Sequence, residues 1–106
     1  MEKVAIYTRT ARKNTAGIKA QVEMCKQYAK KNGFHVVKVY KDNGKSGTKT
    51  KRRALRKLLK KSKKGKFCFV VIYSVDRLSR NMTDYLMLEK QLAKYGVKII
   101  SVVGGA

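Results

Sequence analysis

The chain has 106 residues, enough for one hydrophobic core and not for two. Its 27 Lys and Arg against 6 Asp and Glu give a formal net charge of +21, which repels itself in a compact fold and points to a polyanionic partner. No stretch approaches the roughly 20 apolar residues that span a bilayer, and the first residues lack the apolar centre of a secretory signal, so a soluble cytoplasmic protein is expected.

Residues 3–8 read as a strand. From 16 to 32, Ile18, Val22, Cys25 and Ala29 fall on one helical face, and Gly33 supplies a C-terminal stop. FHVVKVY, 34–40, reads as a second strand. Residues 41–50, KDNGKSGTKT, hold two glycines and no apolar side chain, which predicts a loop. Leu55, Leu58 and Leu59 mark a helix over 51–63 that ends at Gly65. FCFVVIY, 67–73, is apolar throughout, as in a strand covered on both faces. Asn81 is a candidate N-cap for a helix over 82–95, with Tyr85, Leu88, Leu92 and Tyr95 on one face and Gly96 closing it. VKIISVV, 97–103, is the fourth strand. The order β-α-β-α-β-α-β predicts an α/β fold, a mostly parallel sheet of about four strands with helices on both faces.

The polyanion is a nucleic acid or an anionic membrane surface. A membrane-surface helix needs a broad apolar face, and the basic segment offers only three leucines that a protein core would claim. Nucleic acid is favoured. Cys25 and Cys68 form no CxxC pair, and His35 is the single histidine, so no metal site and no cofactor are expected.

In such a sheet the loops after the first three strands share one rim, where open α/β folds place their sites. TRTARKN, KDNGKSGTKTKRR and SVDRLSRN bring Arg9, Arg12, Lys45, Lys49, Lys51, Arg52, Arg53, Arg77 and Arg80 to it. Planar guanidinium groups hold phosphate bidentately and stabilise the charge of its transition state. The 22 residues from Lys45 to Lys66 contain 12 cations and no acid, a pattern that a solvated helix face also produces. Arg9, Arg77 and Arg80 stand beside strand ends, where that simpler explanation has less force. Asp76, within DRLSR, is placed to accept from Arg77, Arg80 or a backbone amide, or to punctuate a helix start.

Taken together, YTRTA, the glutamine of IKAQ, DNGKSG followed by KRRAL, and DRLSR resemble the catalytic domain of the serine recombinases, the resolvase/invertase family, over nearly the whole chain. The order and spacing of the four motifs carry the resemblance, and the D-x-G-x-S-G loop leans toward the large serine recombinases. The resemblance implies a serine that attacks a DNA phosphate in line, forming a phosphoserine linkage and releasing a 3′-hydroxyl, with neither ATP nor metal. It implies that Arg9, Arg77 and Arg80 surround the scissile phosphate, supported by Arg52. Ser46 and Asp76 would position or polarise, Gln21 would contribute to the site, and Lys45, Lys49, Lys51, Arg53 and Arg12 would contact DNA. It further implies a separate C-terminal DNA-binding domain, so that residues 1–106 read as a truncated catalytic domain. The full-length protein would form dimers and tetramers, and this fragment would be monomeric.

Two positions depart from the family pattern. Arg53 replaces a usual proline at a helix start, where proline is merely favoured. Ala11 stands where the serine nucleophile belongs, and a methyl group cannot attack phosphorus. On a strand Thr10 points away from residue 11, and Thr8 lies a full strand step back. Either a serine has been replaced, or the chain is a natural relative without cleavage activity. The latter makes it a non-catalytic basic α/β module that binds nucleic acid. A nucleotide-binding flavodoxin-like domain is disfavoured by the lack of a G-x-G-x-x-G or Walker motif.

Overall fold

β1, Lys3–Thr10, is buried from Val4 to Thr10 because it lies inside a sheet covered by helices on both faces. The computed structural model describes residues 1–44, 52–79 and 81–103. Besides β1 these contain β2 (His35–Asn43), β3 (Phe69–Ile72) and β4 (Lys98–Ser101), in the spatial order β2-β1-β3-β4. Every adjacent pair is parallel. The connections carry α1 (Thr15–Lys31), α2 (Arg53–Ser62), a short α3 (Val75–Leu78) and α4 (Met82–Ala93).

Alternation along β1 divides the core in two. Val4 and Ile6 face α1 and pack with Cys25, Ala29 and Val71. Ala5 and Tyr7 face the opposite side with Leu55 and Leu58 of α2, Leu78 of α3, and Leu88 and Leu92 of α4. Periodicity places these helical faces correctly, with Tyr85 at the edge of the second cluster; Tyr95 packs there too, but from the turn after α4 and not from its face. The Asn81 cap is also present, its side chain accepting from the Asp84 amide at 2.7 Å.

Several boundaries differ from the sequence expectation: β3 and β4 are shorter than 67–73 and 97–103, and α4 ends at Ala93, short of 95. β1 runs to Thr10 and β2 to Asn43, so Lys41, Asp42 and Asn43 are strand and not loop. These polar extensions pair with each other, Thr8 with Lys41, Arg9 with Asp42 and Thr10 with Asn43, so the ladder continues beyond the apolar run. The helix expected from 51 begins at Arg53, and α3 was not foreseen, a single turn being too short to show a periodicity.

Candidate active site

Arg9 is fixed at both its backbone and its guanidinium. Its amide donates to Gln21 Oε1 at 3.3 Å, and Gln21 Nε2 donates back to the Arg9 carbonyl at 3.1 Å. The α1 side chain thus completes the backbone hydrogen bonding of β1 near its end, and both residues are buried. On the other side of the sheet, Arg9 Nε donates to the Arg77 carbonyl at 3.1 Å and Nη2 to the Asp76 carbonyl at 2.8 Å. The α3 backbone therefore orients this guanidinium. Both of these acceptors are neutral carbonyls.

Arg77 is half-buried and reaches the same rim. With Thr10, Gln21 and Tyr73 it lines a cleft of about 320 Å³ beside the N-terminal half of α1, roomy enough for a phosphate group. Among the described residues, Arg77 Nε is the buried side-chain nitrogen without a hydrogen-bond partner. The fold leaves this guanidinium with donor capacity that it does not use.

Beneath the rim, Arg52, Tyr7 and Asp42 form a closed network. The Tyr7 hydroxyl donates to Asp42 Oδ2 at 2.8 Å and accepts from Arg52 Nε and Nη2 at 3.2 and 3.1 Å. Arg52 Nη2 also donates to the Leu78 carbonyl, and its guanidinium lies 5.5 Å from the Tyr7 ring centroid. Asp42 accepts from the amides of Ala54 and Leu55 at 3.0 and 3.2 Å, so it caps α2 from β2. Burial raises the Tyr7 phenol well above its ordinary pKa, and the phenol stays protonated. Arg52 is 3% exposed. It braces α3 through the Leu78 carbonyl.

Ala11 is exposed immediately after β1, one residue beyond the buried Thr10. Arg9 and Arg77 meet through α3, Gln21 joins them, and Arg12 and Arg53 are solvent-exposed. Ser46, Arg80, Lys45, Lys49 and Lys51 lie outside the described residues. Asp76 punctuates the start of α3, one of the two expectations: its carboxylate accepts from the Ser74 hydroxyl, and its backbone carbonyl holds Arg9. Asp76 makes no ion pair with Arg77; its own helix start claims the carboxylate.

Tyr7, Asp42 and Asn43 were not singled out from sequence. Tyr7 and Asp42 were quoted within motifs, but only the parallel register that sets β1 beside β2 reveals their partnership. Among the described residues no group of three or more His, Cys, Asp or Glu is placed to hold a metal ion. No described helix is long and apolar enough to cross a membrane.

The chain has relatives among known proteins. The family described as "Resolvase, N terminal domain" matches residues 4–105. A Bacillus subtilis (strain 168) protein named "Putative DNA recombinase" is 35% identical over 105 residues, covering 95% of this chain and 20% of that protein. The chain thus spans about a fifth of that relative's length. The N-terminal catalytic domain of TP901-1 integrase superposes with a TM-score of 0.90 at 37% identity, over 95% of this chain and 78% of the other. A resolvase family site-specific recombinase from Streptococcus pneumoniae superposes at 0.89 with 30% identity, over 100% of this chain and 75% of the other. The catalytic domain of ISC1926 TnpA, an IS607-like serine recombinase, gives 0.87 at 32% identity, over 94% and 69% of the two chains. On sequence and fold alike, the chain belongs to the serine recombinases, as a resolvase-type catalytic domain.

Proposed function

We propose that this chain is the DNA-cleaving and DNA-rejoining domain of a site-specific recombinase, inactive as written because Ala11 occupies the nucleophile position. In the reaction it is built for, a hydroxyl at position 11 attacks a backbone phosphate. The oxygen–phosphorus bond to the protein forms as the bond to the 3′-oxygen breaks, the serine loses its proton, and the 3′-oxygen gains one. Reversal by a new 3′-hydroxyl rejoins the strand and regenerates the serine, so the exchange conserves bond energy. Arg9 and Arg77 stabilise the charge that develops on phosphorus oxygens, with Arg80 assigned to the same task. Arg52 supports them through the Leu78 carbonyl, and Gln21 through the Arg9 backbone. Ser46 and Asp76 are assigned positioning roles. Lys45, Lys49, Lys51, Arg12 and Arg53 are assigned to flanking phosphates, which carry affinity and little sequence information.

The observation that carries this reading is the clamping of Arg9 by the Arg77 and Asp76 carbonyls, within two residues of the exposed Ala11. A methyl group at position 11 cannot serve as the nucleophile that such oriented arginines would suit. Ala11 itself favours a second reading, a DNA-binding relative without cleavage activity.

A full-length protein carrying Ala11→Ser separates the two. The recombinase reading requires a covalent protein–DNA adduct through residue 11, formed in the presence of chelator and lost on further substitution of Arg77. A protein that binds its own site yet never forms the adduct assigns the chain to the binding class.

A further inference from the structure

We propose that Asn43 is a positioning residue for position 11, holding in place the segment that links β1 to α1. The proposal rests on the reading of residue 11 as the attacking position. Asn43 ends β2 directly opposite Thr10, the residue before Ala11. Its Oδ1 accepts from Thr10 Oγ1 at 3.0 Å and from the Asn14 amide at 2.7 Å, so it grips both sides of residues 11–13. Its Nδ2 donates to Thr15 Oγ1 at 3.3 Å, on the first residue of α1. One carboxamide therefore joins the end of a strand, a linking segment and the start of a helix.

Gly44 completes the clasp. Its amide donates to Thr10 Oγ1 at 3.2 Å, so that hydroxyl donates to Asn43 and accepts from Gly44. Gly44 has φ +77, and a Cβ on it would lie 3.1 Å from the Lys13 nitrogen, so the two backbones meet where a side chain would intrude. Ala11, Arg12 and Lys13 are exposed. Their course is set by these anchors on either side. In-line phosphoryl transfer depends on near-attack geometry, and a displacement of about 1 Å can lower a rate by roughly a hundredfold. Asn43 acts on the reaction through residue 11 and touches no reacting atom.

Two variants distinguish positioning from general stabilisation. Asn43→Ala removes all three contacts; Asn43→Asp keeps both acceptor bonds of Oδ1 and can accept from the Thr15 hydroxyl. In the present chain, Asn43→Ala should speed hydrogen exchange of the Asn14 amide at least tenfold and lower the order parameters of residues 11–13, on the order of a local opening. Asn43→Asp should leave both near their starting values. In a full-length Ala11→Ser background, Asn43→Ala should slow adduct formation at saturating DNA roughly tenfold to a hundredfold. DNA affinity should stay within about twofold, because no phosphate-contacting group changes, and Asn43→Asp should recover the rate.

Thr10→Val removes the same bond from the other side, and serves if Asn43→Ala does not fold. An unchanged Asn14 exchange rate would overturn the proposal. So would an adduct rate at saturating DNA that stays constant while only melting temperature falls. If Ala11→Ser forms no adduct with Asn43 intact, the recombinase reading fails, and the exchange measurement alone decides whether Asn43 positions the segment.

Discussion

Tyr7→Phe deletes one oxygen from the centre of the Arg52–Tyr7–Asp42 network and leaves the ring, in a side chain with no solvent exposure. Packing barely changes, so the loss is polar. Arg52 Nη2 retains the Leu78 carbonyl, and Asp42 retains the amides of Ala54 and Leu55. Arg52 Nε loses its acceptor, and the phenol–carboxylate bond disappears. A buried charged donor without a partner costs about 1–3 kcal/mol or more, and a hydrogen bond to a charged group contributes about 1.5–3 kcal/mol. Because these two effects share one network, we expect a combined loss of about 3 kcal/mol. Against a typical domain stability of 5–15 kcal/mol this is a large fraction, and it should lower Tm by roughly 12 to 20 °C. Equilibrium urea unfolding followed by circular dichroism should show a lower midpoint at constant m. In an Arg52→Met background the same substitution should cost less than half as much, since its main partner is gone. A loss below about 0.5 kcal/mol at constant m, or full additivity with Arg52→Met, would refute the closed network.

Arg9→Lys keeps the charge but cannot span two carbonyls with one rigid fork. In a full-length Ala11→Ser protein it should lower adduct yield by roughly tenfold to a hundredfold, approaching Arg9→Ala; equal rates for Lys and Arg would show that charge alone suffices. Burial pushes the Cys25 thiol from 9.0 up to about 12. The unfolded chain therefore releases this proton first, and Cys25 makes stability fall as pH rises from about 9 toward 12, by up to about 1.4 kcal/mol per pH unit. Cys25→Ala should flatten that alkaline slope in denaturant titrations, while the remaining slope comes from buried tyrosines such as Tyr7. Gly44→Ala forces a side chain into positive φ against the Lys13 backbone, and should cost about 1–3 kcal/mol in the same assay.

The sequence made legible whatever depends on apolar periodicity. Ile18, Val22, Cys25 and Ala29 share the α1 face expected of them, and all are buried. The motif residues Arg9, Gln21 and Arg77 do converge. Burial of polar groups was not legible, because it has no hydrophobic signature. Arg52 and Arg53 are adjacent cations in one basic run, yet Arg52 is buried and Arg53 exposed. Tyr7 and Leu78, 45 and 26 residues from Arg52, make the difference. The extension of β2 through Asp42 and Asn43 has the same cause: their side chains are satisfied by Tyr7, Thr10 and the α2 amides, partners that only the folded register supplies.

The choice of partners for the arginines has a mechanistic consequence. The carbonyls of Asp76, Arg77 and Leu78, three consecutive residues of α3, accept hydrogen bonds from Arg9 and Arg52. A carbonyl dipole directs a guanidinium without cancelling its charge. Asp42 is buried and occupied by Tyr7 and two amides of α2. Arginines oriented in advance would spare a phosphate ligand the cost of ordering them at the moment of binding. By this logic α3 is a bracket for Arg9 and Arg52 as well as a helical turn.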